Sequence, residues 1–220
     1  MFTGIIQEVG KVRQISDLGG GRLLSFSAPQ LANELRINDS IAVNGICQTV
    51  IDRTGDVFTV EAVEETLRKT TLGELRESVE VNLELPMRLN DRIGGHLVQG
   101  HIDGVGQVKR VKKLSNSWLF TVAIPIEFSR YVIPVGSIAI DGVGLTVASV
   151  HGTEIIVSII PHTMSHTSFK NLTVGSKVNL EFDVLGKYVE RLVRGEGGLE
   201  GQDGLDGVTM EKLRTWGYES

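Results

Sequence analysis

The chain has 220 residues and a mass of 24.0 kDa, with 41% hydrophobic and 22% charged positions, the profile of an ordinary globular protein of one domain or two small ones. A formal charge of −5 argues against a nucleic-acid binder, no apolar run approaches the roughly 18 residues of a membrane helix, and the first residues lack the basic and apolar stretches of a secretory signal, so a cytoplasmic location is expected. The single cysteine, Cys47, excludes an internal disulfide framework and a cysteine-rich zinc site.

Read in chain order, the first part consists of short β-branched runs. IIQEVGKV begins at Ile5, LLSFS at Leu23, SIAVNG at Ser40, ICQTVI at Ile46, VFTVEAV at Val57 and VEVNLEL at Val79. Each is strand length and is bounded by Gly, Asn, Asp or Ser. Two short helical pieces are expected among them, one opening at Pro29, with proline at its first position, and one over about 64–70. The same series then starts again. Gly4, Val9, Gly10, Val12 and Pro29 fall on Gly100, Val105, Gly106, Val108 and Pro125 at an offset of 96. Ser40, Gly45, Thr49, Val50, Thr66, Thr70 and Leu75 fall on Ser137, Gly142, Thr146, Val147, Thr163, Thr167 and Leu172 at an offset of 97, and VNLE at 81–84 falls on VNLE at 178–181.

The chain is therefore two copies of one unit, assigned here as 1–95 and 96–185. Asn44–Gly45 and Asp141–Gly142 sit between strands at matching places, and both dipeptides tolerate the positive φ of a tight hairpin. Six short strands per copy predict a small closed antiparallel barrel, since closure removes exposed edges. Residues 186–220 differ. Leu185, Tyr188, Val189 and Leu192 form one helical stripe, too short to stand alone in water. Residues 195–207 hold six glycines and four acids, the composition of a mobile linker, and Met210 to Trp216 is a last amphipathic piece.

No phosphate loop, dinucleotide fingerprint, nucleophile elbow or zincin motif occurs. His162 and His166 have the i, i+4 spacing of metal ligands, but their counterparts Glu65 and Lys69 form an i, i+4 ion pair, so an ordinary helix face is expected and no metal. Two other residues break the repeat in a more useful way. His101 stands where the first copy has Ile5, and Cys47 stands where the second copy has Gly144. A residue needed in only one copy is not demanded by the fold. Imidazole is the side chain best poised for proton transfer near neutrality; the competing readings are a half-exposed strand histidine and a buried small thiol. The hydroxyls of Ser40, Thr49 and Thr66 recur as Ser137, Thr146 and Thr163, to cap turns or to bind one kind of ligand twice.

The segments MFTGII, VNGICQTV, EETLRKTTLGEL, IGGHLVQGHIDGVG, IDGVGLTV and IIPHTMSHTSF resemble the α-chain riboflavin synthase family over about 1–194. The resemblance implies two tandem six-stranded barrels, each binding one 6,7-dimethyl-8-ribityllumazine. It implies a homotrimer joined through the C-terminal helix, with each active site between the first barrel of one subunit and the second barrel of its neighbour, and lumazine synthase as a candidate partner. The implied reaction moves a four-carbon unit between two lumazines, giving riboflavin and 5-amino-6-(D-ribitylamino)uracil, without metal or organic cofactor.

By matching position, the resemblance assigns Gly4, Ile5, Ile6, Cys47, Gln48, Thr49, Glu61, Ala62, Val63, Glu64, Glu65 and Thr66 to the substrate in the first unit. In the second it assigns Gly100, His101, Ile102, Gly144, Leu145, Thr146, Ile160, Pro161, His162, Thr163, Met164 and Ser165, with Val135 and Asp141 beside them. His101, Cys47 and Ser40 are the expected catalytic residues, and Phe2 is a nearby candidate. Val135, Gly144, Gln48 and Gln99 depart from residues common in the family (Lys, Ser, an apolar residue and Ser), mostly in or beside the second pocket. The alternative is a non-catalytic lumazine- or flavin-binding relative.

Overall fold

A computed structural model describes residues 1–194; the glycine-rich stretch 195–207 and the piece at Met210–Trp216 lie outside the described residues. The chain divides after Val184. The first unit contains both copies, each a closed barrel. Strands β1 (Glu8–Asp17), β2 (Gly21–Ser27), β3 (Ser40–Val43), β4 (Ile46–Thr54), β5 (Val57–Val63) and β6 (Glu80–Glu84) close in the order β1-β2-β5-β4-β3-β6. Strands β7 (Gly104–Lys113), β8 (Trp118–Ala123), β9 (Ser137–Ile140), β10 (Val143–His151), β11 (Glu154–Ile159) and β12 (Lys177–Phe182) repeat that order around the second barrel. All pairings are antiparallel. Bulges at Val12/Gln14 and Val50/Asp52 recur at Val108/Arg110 and Val147/Ser149, bending the same strands in both copies.

Alternation fills each interior. On β4, Ile46, Gln48 and Val50 turn inward and Cys47 and Thr49 outward. The first core centres on Phe26 stacked on Phe58, the second on Phe120 edge-on to Phe169, both at 5.3 Å between ring centroids. Helices α1 (Glu64–Lys69) and α2 (Pro161–His166) follow β5 and β11, as predicted.

The helix expected at Pro29 does not form. Residues 29–34 make successive turns: one i→i−4 bond, Ala32 N to Ala28 O at 2.8 Å, gives way at once to i→i−3 bonds from Glu34 N and Leu35 N. The Glu8 carboxylate accepts from Leu31 N at 2.8 Å and Gln30 N at 3.2 Å, and Arg53 donates to Ala32 O at 3.1 Å. In the second copy Pro125 precedes a short 3₁₀ turn, Ile126–Tyr131, rather than opening an α-helix. In the second unit, α3 (Val184–Val193) begins two residues before the expected 186. Its stripe of Leu185, Tyr188, Val189 and Leu192 is 58–79% exposed in the single chain.

Both two-residue hairpins have positive φ at both positions, Asn44 (45°) and Gly45 (77°), Asp141 (46°) and Gly142 (78°), as a primed turn requires. The turns meet each other: a Cβ on Gly45 would lie 2.6 Å from Gly142 N. Around this contact the copies exchange hydrogen bonds reciprocally. Asn82 donates to Asp141 O at 2.9 Å and Asn179 to Asn44 O at 3.0 Å, while Oδ1 of Asn82 accepts from Ser168 N and Oδ1 of Asn179 from Thr71 N at 2.6 and 2.8 Å. A pseudo-two-fold axis therefore runs through the hairpin contact.

The segments entering β1 and β7 also cross this axis. Phe2 and Val98 pair backbone to backbone, at 2.7 and 3.1 Å, and pack with Ala42 and Ala139 into a small third core. Ile6 then packs on the second barrel's core and Ile102 on the first.

Candidate active site

Each barrel has one place where its ladder opens. Strands β4 and β5 pair from Val50–Val60 to Thr54–Val57 and no further, so Ile46–Thr49 pairs only with β3 and Glu61–Val63 only with β2. Strands β10 and β11 part in the same way beyond Val147–Val157. The crossing segments lie along these gaps. Cys47 N donates to Gly100 O at 2.8 Å and Gly144 N to Gly4 O at 2.7 Å. Only glycine fits: Gly100 has φ +84° and a Cβ there would sit 2.6 Å from Cys47 Cβ.

Two buried carboxylates hold the crossings. Glu84 accepts from Thr3 N, Thr3 Oγ1 and Gly4 N at 2.6, 2.7 and 3.1 Å; Glu181 accepts from Gln99 N, Gly100 N and His101 N at 2.6, 2.9 and 3.1 Å. Burial pushes the Glu84 carboxyl up despite the donors that favour its charge. Neither glutamate was among the expected site residues, although the repeated VNLE was the available signal.

The structure thus regroups the predicted residues. The first mouth gathers Cys47 and Thr49 from β4, Glu61 and Val63 from β5, Glu64, Glu65 and Thr66 from α1, and Gly100, His101 and Ile102 from the second copy. A cleft of about 180 Å³ is lined by Cys47, Glu65, Thr66, Gly100, His101 and Ile102, among others. Gly4 lies against Gly144 and Ile6 packs on the second core, so these two, expected in the first unit, run along the second mouth with Thr146, Ile160, Pro161–Thr163 and Ser165, while Ile5 is half-exposed near Thr3, Gln7 and Glu84. Ser40 faces Thr49 across β3–β4, on the outward face that carries Cys47.

Other predicted residues stand apart from this grouping. Ala62 is 1% exposed in the first core, Gln48 turns inward from β4, and Leu145 packs on the second core. Met164 also packs on the second core. Asp141 is 4% exposed at the inter-barrel turn, and burial raises its carboxyl to about 7 although Asn179 N donates to it. Val135 is 80% exposed, in a left-handed conformation (φ 63°) at the loop entering β9. Phe2 is fully buried in the third core, beside Gly100.

The mouths differ in their polar groups. The first has the Cys47 thiol and the His101 imidazole, whose repeat counterparts are Gly144 and Ile5. A residue to which the sequence assigns no role, His96, partly fills the second. Its Nδ1 lies 3.5 Å from where a Gly144 Cβ would be, and burial pushes its pKa down while Asp183 opposes. His96 precedes the repeat's first aligned position, so no counterpart could single it out. On α1, Glu65 pairs with Lys69 at 2.7 Å and Arg68 at 2.6 Å, which lowers its pKa, Lys69 first. On α2, the His162 and His166 rings stack at 4.0 Å. Among the described residues no three His, Cys, Asp or Glu side chains gather as a metal set, and no helix is long and apolar enough to cross a membrane.

Two barrels of one topology, each opened beside β4 or β10, define a duplicated ligand-binding fold. The lumazine binding domain model matches it twice, at residues 3–86 and 99–183. Riboflavin synthase of Actinobacillus pleuropneumoniae is 43% identical over 193 residues, covering 88% of this chain and 90% of the relative. Riboflavin synthase of Bacillus subtilis (strain 168) is 40% identical over the same shares, and that of Mycobacterium bovis 42% identical over 202 residues, 90% of this chain and all of the relative. Among solved structures, LumP complexed with 6,7-dimethyl-8-(1'-D-ribityl) lumazine has the same fold, with TM-score 0.76 at 24% identity over 83% of this chain and 99% of that one. The chain belongs to the riboflavin synthase family.

Proposed function

We propose that the protein is a riboflavin synthase, a transferase that converts two molecules of 6,7-dimethyl-8-ribityllumazine to riboflavin and 5-amino-6-(D-ribitylamino)uracil in the cytoplasm. The observation that carries the reading is the pair of related mouths, matched by a lumazine-binding model in each copy, in a chain 40–43% identical to named synthases. The substrate supplies its own reactivity, because the conjugated ring acidifies its 7-methyl group. What remains for the protein is orientation and proton handling. Holding two rings face to face removes about 7–11 kcal/mol of barrier, and a positioned acid or base adds about 10²–10⁴-fold.

The mouths supply those roles unequally. Thr49 and Thr146 present hydroxyls to the two substrates, with Glu61, Val63–Thr66, Ile160–Thr163 and Ser165 along their edges. His101 moves the methyl or ring proton; Cys47 and Ser40 stabilise the water-derived adduct at C7. The second mouth, with Gly144 in place of Cys47, holds its lumazine without those groups. The active chain is a homotrimer in which the first mouth of one subunit faces the second mouth of the next; the exposed apolar stripe of α3 supports this, since a stripe of two turns requires a partner.

The test is incubation of purified protein with the lumazine while riboflavin is followed by fluorescence. Turnover is expected, and His101→Gln should reduce it by about 10²-fold or more at saturating substrate. A stoichiometric complex without turnover would identify a carrier instead. Unchanged turnover in the variant would remove the role given to His101.

A further inference from the structure

Helix α2 carries two of the chain's five histidines on one face. His162 and His166 are exposed, one turn apart, and their rings lie against each other with centroids 4.0 Å apart and planes 25° from parallel. The first copy shows why they meet. At the matching positions of α1 the heads of Glu65 and Lys69 approach to 2.7 Å, so this helical turn brings its i and i+4 side chains together in both barrels. In α1 the contact is saturated by opposite charges. In α2 two imidazoles meet instead, with no acidic residue on the helix to pair with either. The His166 ring is also fixed in its tautomer. Its Nδ1 lies 2.9 Å from His162 O, and a carbonyl oxygen only accepts, so Nδ1 carries the proton and Nε2 the free lone pair. A metal-ligating histidine is held in the same way, its other nitrogen tied to a backbone carbonyl. The His162 ring makes no hydrogen bond to another of the described residues.

We propose that His162 and His166 form a surface site for one borderline divalent cation, Zn²⁺, Ni²⁺ or Cu²⁺, with water in its remaining positions. Imidazole suits these ions, and histidines at i and i+4 are the spacing by which one helix face offers two of them to a single ion. Metal–nitrogen bonds of about 2.0–2.1 Å put the two ligating nitrogens about 3–3.4 Å apart. The stacked pair reaches that separation by rotation about side-chain bonds alone, since both heads are exposed. The ion clips one turn of a six-residue helix; it is not a closed structural site, which would need four protein ligands. Neither ligand lines the cleft at Cys47 and His101. Binding of the ion requires no lumazine, so its test does not rest on the proposed reaction.

Ni²⁺ is the probe, because its unpaired electrons broaden nearby resonances and it does not oxidise the Cys47 thiol. Titrated calorimetrically into the full chain at about pH 7.5, since neutral imidazole is the ligating form, it should bind with Kd at or below about 100 µM. His162→Gln and His166→Gln each leave a single imidazole and should weaken binding by about tenfold or more. His151→Gln removes an exposed histidine from β10 and should leave binding within about twofold of the parent. In the unaltered chain, substoichiometric Ni²⁺ should broaden the ring resonances of His162 and His166 in NMR spectra before those of His96, His101 and His151, a readout that needs no variant. Absence of binding, indifference to either change on α2, an equal loss in His151→Gln, or broadening that begins at His101 would each overturn the proposal.

Discussion

Asp141 and Asn44 occupy one position in two copies and differ by a single ionisable atom. Buried at the seam, the Asp141 carboxyl is raised to about 7, chiefly by desolvation. Between its unfolded value near 4 and about pH 7 the folded chain therefore holds a proton that the unfolded chain has lost. Stability conferred by this site must fall as pH rises through that window and level off above it, by at most about 4 kcal/mol. Asp141→Asn reproduces the Asn44 arrangement, so urea unfolding of the variant should be flatter between pH 5 and 8 and the variant more stable at pH 8. A parallel decline in both proteins would remove Asp141 as its cause. The sequence made Cys47 and His101 legible because each differs from its counterpart. It misplaced Asp141 because motif matching gives neighbourhood in sequence: Asp141 stands only three positions from Gly144, yet the turn carries it into the seam.

At the scale of elements, the strands were legible because alternation and hairpin dipeptides are local signals, and the Asn44–Gly45 and Asp141–Gly142 turns form as read. The Pro29 helix was not, because proline marks where a helix can open and not how far it runs, and here one i→i−4 bond passes directly into tighter i→i−3 turns. The crossing segments were hidden for another reason. An offset of 96 states which residues are equivalent, not which copy they serve. The contact between the turns gives a direct test of the seam. Gly45→Ala places a methyl 2.6 Å from Gly142 N at φ +77° and should cost about 2 kcal/mol or more, whereas Gly55→Ala, at φ +61° with open space around it, should cost about 1–2 kcal/mol from its backbone alone. Equal losses in the two variants' unfolding midpoints would mean that the turns do not press on each other.

At the scale of the whole molecule, the regrouping changes how a shared site is to be probed. His101 is encoded in the second copy but serves the first mouth, whereas Thr146 belongs to the second. In a trimer with sites between subunits, mixing His101→Gln chains with Thr146→Ala chains should regain riboflavin formation, because some sites then combine an intact first mouth with an intact second. Sites confined within single chains would give no recovery. Leu192→Glu should drive the sedimentation mass from three chains to one and abolish turnover with it; an active single chain would refute the inter-subunit arrangement.

The exchanged entry segments also tie the two copies to each other. The gap beside β4 is covered by the stretch at Gly100–Ile102 and the gap beside β10 by the stretch at Gly4–Ile6. Each opening therefore depends on a segment that the other copy supplies. Because lender and borrower are different stretches of one chain, the two openings are free to differ, and a thiol and an imidazole stand at one where glycine and isoleucine stand in the repeat of the other.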